Sequence, residues 1–508
     1  MLWQDSPIFD QASMPAAGDT RRYSGPVIRY ASSSGRWVLL ATVLGSGIAM
    51  IDATVVNVAL PTVGRDLALG FAGLQWTVNA YTLTLSAVLL LGGSLGDRLG
   101  RRRLFVTGVV WFAAASLLAG LAPTGTLLVA ARALQGVGGA LLTPGSLAII
   151  EASFVPEDRA AAVGAWSGLG GVATAAGPLV GGYLVQAVSW RLAFLINLPV
   201  AALVTWVAVR HVPESRNPNA ARYVDAPGAL LAAAGLALLV YALTEGPGSA
   251  WPPADLASLA AGVALLAAFV AVELRSPGPM LPMAIFRSRQ FSFANLVTFV
   301  VYGALGGALF LLPLQLQRVA GFRPLAAGAA LLPITIVLLL LSARAGRLAQ
   351  RIGPRLPMAL GPVLVGAGLA LMVRIGPGSG YLRDVLPAVL VMALGMALTV
   401  APLTATVMAA AGDEHVGVAS AVNNDVARTA GLMAVALLPV VAGIAQADYA
   451  HPPAFSAGFH RAVLVAAGLC VAGGLLAAAG IRNPRRQVAE TPTCCPVSAP
   501  ALAAERCG

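Results

Sequence analysis

The sequence predicts an all-α, polytopic membrane protein with about fourteen transmembrane helices, in two six-helix bundles with a helix pair inserted between them. Composition carries the first part of that reading. The 508 residues are 58% hydrophobic and 10% charged, and mean hydropathy is +0.81. Soluble domains carry about 25% charged residues, so lipid is the solvent for most of this chain. Run length carries the second part. A bilayer core about 30 Å thick is crossed by about 20 apolar residues in a helix, and the apolar runs here reach that length. They are continuous rather than alternating, which selects helices over barrel strands.

Taken in order, the predicted spans are 37–61, 73–95, 104–122, 125–151, 160–185, 191–210, 227–245, 255–273, 291–313, 324–345, 357–374, 386–410, 416–445 and 460–481. Residues 1–36 are polar, lack the apolar core and cleavage site of a signal peptide, and read as a disordered segment. Spans one to six fill 37–210. Linkers rich in Pro and Arg bracket spans seven and eight within 211–290. Spans nine to fourteen fill 291–481, and residues 482–508 form a second disordered tail. An internal echo supports two halves: GSLGDRLGRRR at 93–103 follows the second span, and ARAGRLAQRIGPR at 343–355 follows the tenth.

The net charge of +11 invites a nucleic-acid partner, but its placement argues against one. All 32 basic residues are Arg. With the N-terminus inside, about 23 fall on the cytoplasmic side and about 7 outside, with Arg132 and Arg428 inside spans. This is the positive-inside asymmetry, and it places both termini in the cytoplasm. A Walker loop needs a Lys on the phosphates; the chain has none, so no nucleotide is expected. No stretch between spans is long enough for a soluble catalytic domain, and an enzyme is not expected. Cys470, Cys494, Cys495 and Cys507 fit no metal spacing. His211, His415, His451 and His460 fall near span ends and read as surface residues. Neither metal nor organic cofactor is expected.

Four intramembrane stretches depart from lipid-facing sequence. IDATVVNVALP places Asp52 and Asn57 in the first span. A carboxylate at mid-membrane depth costs about 2.5–3.5 kcal/mol, and such acids are functional by default. A protonatable site in a cavity is one reading; a buried Asp bonded to a neighbouring helix is the other. LVAARALQGVGGALLTPG places Arg132 and Gln135 about one turn apart in the fourth span. Asp52 or a carbonyl of the first helix would satisfy Arg132. A cation partner favours the charged carboxylate and desolvation opposes it. The glycines beside Gln135 read as close helix packing. GLGGVATAAGPLVGG carries the step Gly177 to Gly181, with Gly182, for close backbone approach, and Pro178 for a kink. GVASAVNNDVARTAG clusters Asn423, Asn424, Asp425 and Arg428 in the thirteenth span. Asp425 and Arg428 share a helix face. An internal ion pair is one reading; a contact to substrate or a second proton is the other.

Together these stretches resemble the major facilitator superfamily, and its fourteen-helix drug:proton antiporter branch, the EmrB/QacA-like multidrug efflux transporters, most of all. GSLGDRLGRRR matches the loop after the second helix, giving Gly93, Asp97, Arg98, Gly100 and Arg101. RALQGVGGA matches the fourth-helix motif, GPLVGG the fifth-helix antiporter motif, and IDATVVNVALP the first-helix motif. SWRLAFLINLP fits the start of the sixth helix, and the resemblance covers about residues 36–482. It implies two bundles rocking about a midplane cavity. Asp52 is then the proton site and Arg132 its modulator, while Asp97 and its arginines latch the cytoplasmic side in one state. The second-half loop lacks an acid matching Asp97, so the gate is expected to be asymmetric.

The function expected is a monomeric, proton-coupled antiporter in the cell (inner) membrane, exporting small hydrophobic drugs or metabolites. Cationic ones are included if Asp425 is free of Arg428. An uptake symporter for a small nutrient, or a non-transport membrane receptor, are the alternatives. Asn57, Gln135, Asn424, Asp425 and Arg428 are expected at the substrate cavity, with Trp76, Tyr81, Trp166 and Tyr302 either lining it or packing.

Overall fold

A computed structural model describes residues 28–216, 225–249, 251–276, 281, 283–411 and 416–483. The tail cysteines, His415 and most of both terminal segments lie outside these residues. The N-terminal six spans are α1 (Ser33–Asp66), α2 (Phe71–Leu99), α3 (Arg101–Gly120), α4 (Gly125–Ser153), α5 (Pro156–Ala187), and the pair α6 (Leu192–Leu195) and α7 (Asn197–His211). The inserted pair is α8 (Ala226–Glu245) and α9 (Pro253–Arg275). The C-terminal spans are α10 (Arg289–Leu314), α11 (Pro324–Ala329) with α12 (Leu332–Ile352), α13 (Arg355–Leu371), α14 (Leu386–Ala411), α15 (Val416–Val441) and α16 (Pro452–Gly480). Among the described residues, thirteen helical segments are each long and apolar enough to cross a membrane, and α2, bent by 51°, makes a fourteenth if it is taken as one span.

Local sequence sets the ends. Ser32 accepts a hydrogen bond from the Gly35 amide and caps α1 four residues before the expected end of the disordered segment. Ile28 is also tied down by backbone bonds to Ser153 and Val155. Both correct the expectation of disorder up to residue 36. The last span starts at Pro452, since Pro is suited to a first helical turn. His460 therefore sits inside a span, half-buried and bonded to the Ile375 carbonyl at 3.0 Å, not on the surface.

Helix pairings repeat between the halves. In the first, α1 packs on α5 and α7, α4 on α2 and α3, and α3 on α7. In the second, α10 packs on α15 and α16, α14 on α12 and α13, and α13 on α16. The inserted α8 lies against both α2 and α15. Trp76 fastens it, donating to Glu245 at 2.8 Å and packing on Tyr241.

The echo seen in sequence extends to single hydrogen bonds. Gly100 (φ 115°) and Gly353 (φ 88°) make the two matching turns in backbone conformations that favour glycine. Two residues on, the Arg102 amide donates to Glu214 and the Arg355 amide to Asn483, each at 3.1 Å. Each acceptor follows the last helix of its own bundle. The charged Glu214 and neutral Asn483 differ, in keeping with an asymmetric pair of turns.

The bundles close on each other at the face opposite the chain ends. Gln75 donates to the Val435 carbonyl at 2.7 Å, and Gln317 to the Val58 carbonyl at 2.9 Å. Phe71 packs among Phe310, Tyr449 and Phe455. On the half of α5 nearer the termini, by contrast, a Cβ at Gly164 or Gly168 would meet no atom within 4 Å.

Candidate functional site

The N-terminal bundle encloses a charged centre. Asp52 on α1 is fully buried and Arg132 on α4 is nearly so. Arg132 Nη1 donates to Asp52 Oδ2 at 2.5 Å. Gln135 Nε2 and Asn197 Nδ2 each donate to Asp52 Oδ1 at 3.1 Å. Arg132 is held in turn: its Nε donates to the Thr77 carbonyl at 3.0 Å, Nη1 reaches Gln135 Oε1 at 2.8 Å, and the guanidinium lies 4.3 Å over the Tyr81 ring. Ser116 accepts from both Gln135 and Asn197. Three N–H donors aimed at two oxygens suit a carboxylate, and charge-assisted bonds are the strong kind. Five helices thus converge on one acid.

Of the two readings of Asp52, this conformation shows the buried acid bonded across helices. Gln135, also fully buried, spends its amide on that same network. Asn57 stands apart because five residues turn it about 140° from Asp52; it is half-buried, with Oδ1 unpartnered. The sequence reading did not name Ser116 or Asn197 as site residues. Asn197 carried a signal, an amide just before Pro199 in an apolar span. Pro199 cannot donate a backbone bond, and the helix breaks at Ile196, bringing Asn197 to the start of α7.

The glycines beside Arg132 have a packing role. A Cβ at Gly136 would strike Thr84 and the Tyr81 carbonyl of α2, and one at Gly138 would meet the Phe112 backbone of α3 at 2.7 Å. They let α4 sit close enough for Arg132 to reach Asp52.

The loop after α2 pairs its arginines both within the loop and with Glu214 beyond α7. Arg101 pairs with Asp97 at 2.7 Å and donates to the Ala148 carbonyl of α4 at 3.0 Å. Arg102 and Arg103 both approach Glu214, at 3.7 and 3.8 Å. A Cβ on Gly100 would collide with that same Glu214 carboxylate. Gly93 is half-buried on α2, and Arg98 is exposed near its end.

The fifth-helix stretch holds two interfaces at once. Gly177 and Gly181 lie against α1, where Cβ atoms would meet Thr54 and the Val55 Cα. Gly182 lies against Leu325 and Pro324 of α11 in the other bundle, and Gly328 of α11 lies against the Pro178 carbonyl. Gly182 and Pro178 therefore sit on the seam between bundles.

On α15, of the two readings of Asp425 and Arg428, the internal ion pair is not formed among the described residues. Asp425 Oδ1 and Arg428 Nε are buried without hydrogen-bond partners. Asn424 bonds its own helix at Ser420, and Asn423 donates to Asn295 and Thr298 of α10. Of the four aromatics considered for the cavity, Trp76 ties α8 to α2, Tyr81 underlies Arg132, and Trp166 donates to Ser46 of α1. Tyr302 packs against a buried apolar cluster drawn from both halves.

Two repeated bundles of membrane-spanning helices that meet at one face define a multi-pass membrane carrier of small molecules. The chain belongs to the Major Facilitator Superfamily, whose family model matches residues 42–436. It is 36% identical over 417 residues to the puromycin resistance protein of Streptomyces alboniger, covering 81% of this chain and 83% of that one. It is 35% identical over 434 residues to the methylenomycin A resistance protein of Bacillus subtilis, covering 84% and 92%. It is 37% identical over 390 residues to the multidrug resistance protein Stp of Mycobacterium tuberculosis, covering 76% and 71%. Among solved structures it is similar to a bacterial homologue of the human lysosomal transporter Spinster in an inward-facing conformation. That similarity has TM-score 0.64 and 17% identity, and covers 89% and 97% of the two chains.

Proposed function

We propose that this chain is a proton-coupled antiporter that exports hydrophobic small molecules by alternating access. The observation that carries the reading is the Asp52–Arg132 centre, enclosed in a chain whose relatives are named for drug resistance. The arginine asymmetry supports cytoplasmic termini in a cell membrane. On that orientation the bundles are closed toward the outside, and Asp52, accepting only N–H donors, stands for the state after proton release. Loading requires water to reach the carboxyl between α1 and α4, both of the N-terminal bundle, so Arg132 gives up its partner by a rearrangement inside that bundle as the two bundles move. The functional unit is the monomer, since each chain holds both bundles.

One charge moving through 100 mV is worth about 2.3 kcal/mol. At about 1.4 kcal/mol per decade, that sustains roughly 50-fold accumulation of a neutral substrate per proton, so one carboxyl suffices. The test is ethidium export by cells lacking their own pumps. Asp52→Asn is expected to abolish gradient-driven export at a normal protein level; export at the wild-type rate by that variant refutes the assignment.

A further inference from the structure

One stripe of α2 carries polar groups, two of which, on Asn79 and Ser86, find no partner in either bundle. Gln75, Asn79, Thr82 and Ser86 recur at intervals of four, three and four, which places them on one helix face. Gln75 bonds the Val435 carbonyl, so this face is turned toward α15. Asn79 is fully buried, and neither its amide nitrogen nor its oxygen has a partner. Ser86 is 4% exposed and lies beside Asp425, with its hydroxyl outside good hydrogen-bond geometry to any group. Ser86 lies eleven residues from Gln75, about 16 Å along the helix, and Asp425 ten from Val435, about 15 Å. The antiparallel helices therefore bring Ser86 and Asp425 to the same level, with Arg428 one turn away. Asp425 Oδ1 and Arg428 Nε are unpartnered there as well.

Unpaired buried polar atoms are rare, because leaving one without a partner keeps its full desolvation cost. This seam holds five of them, from one acid, one guanidinium, one amide and one hydroxyl. They lie beyond the closed face, toward the half where α5 is open. An acid alone would select cations. An acid and a guanidinium that leave each other unpaired demand both a donor and an acceptor from whatever fills the space.

We infer that the α2–α15 seam is the substrate head-group site, and that it selects amphiphiles carrying a cationic or N–H donor group together with a carboxylate or similar acceptor. Asp425 and Ser86 take the donor end. Arg428 takes the acceptor end, and Asn79 serves either. The apolar remainder of the ligand lies against the surrounding aliphatic side chains. The inference rests on the export reading and narrows its substrate class.

Rhodamine B and its ethyl ester make the discriminating pair. Both carry the same delocalised cation, but only the acid has a free carboxylate. Binding is read by fluorescence anisotropy with the full-length protein in detergent. A hydrogen bond to a charged group is worth about 1.5–3 kcal/mol, so the acid is expected to bind the wild type about tenfold tighter than the ester, or more. Arg428→Gln is expected to weaken the acid alone and level the two affinities. Asp425→Asn is expected to weaken both. Equal binding of acid and ester by the wild type overturns the inference without any variant, and so does an unchanged preference in Arg428→Gln. If the preference is present but no dye is exported, the site stands and the export reading falls.

Discussion

Asp52 and Asp425 are both intramembrane acids, yet they have opposite surroundings. Asp52 receives three N–H donors and a full ion pair; Asp425 keeps a buried oxygen with nothing to accept from. The first arrangement carries its own test. Breaking a buried pair from one side costs about 3–5 kcal/mol, because the remaining charge is stranded. Arg132→Ala is therefore expected to lower the melting temperature of the detergent-solubilised protein well below that of wild type. Adding Asp52→Asn to it should restore most of the loss, since the stranded charge is gone. Equal melting of the single and double variants would show that Arg132 matters for its packing on Tyr81 and not for charge.

Helices decide how these residues meet. Close approach of α4 depends on Gly136 and Gly138, and the seam between bundles depends on Gly182 and Gly328. The Pro178 carbonyl occupies the space that any side chain at Gly328 would need. Backbone cannot yield as a flexible side chain can, so a bulky residue there acts as a wedge. Gly328→Leu is expected to open the α5–α11 seam while leaving each bundle intact. The check is disulfide cross-linking between cysteines placed at Gln186 and Leu325, which lie close enough for the Leu325 amide to bond the Gln186 side chain. Cross-linking should fall several-fold in the Gly328→Leu background, and undiminished cross-linking would show that the seam tolerates the side chain.

Over the whole molecule, the two bundles are repeated units that meet where α2 packs on α15 and where α5 packs on α11. Rocking of such units requires the two faces to move in opposite senses. Spin labels at Gly164 and Arg344 report the face that carries the chain ends, and labels at Gln186 and Leu325 report the closed face. When a transported dye is added under a proton gradient, one pair is expected to approach as the other separates. Parallel changes in both pairs would exclude rigid rocking and point to loosening of the whole fold.

Much of this was set by sequence alone. Continuous apolar runs fixed the helices and their number, because lipid leaves the backbone no other partner. The echo of 93–103 in 343–355 marked the repeat, and a lone acid, a lone arginine and a proline-linked amide in apolar spans marked where polarity had to be matched. Which groups matched was not legible. Asp52 meets Arg132, Gln135 and Asn197 across intervals of 80, 83 and 145 residues, and no local spacing encodes such distances. Asp425 and Arg428, three apart and ready to pair, stay unpaired because helical proximity fixes where Cβ atoms lie and not where long side chains point. Helices are a matter of local chemistry and solvent, readable along the chain. The partners of a buried charge depend on how close several helices can come, and only the packed structure decided that.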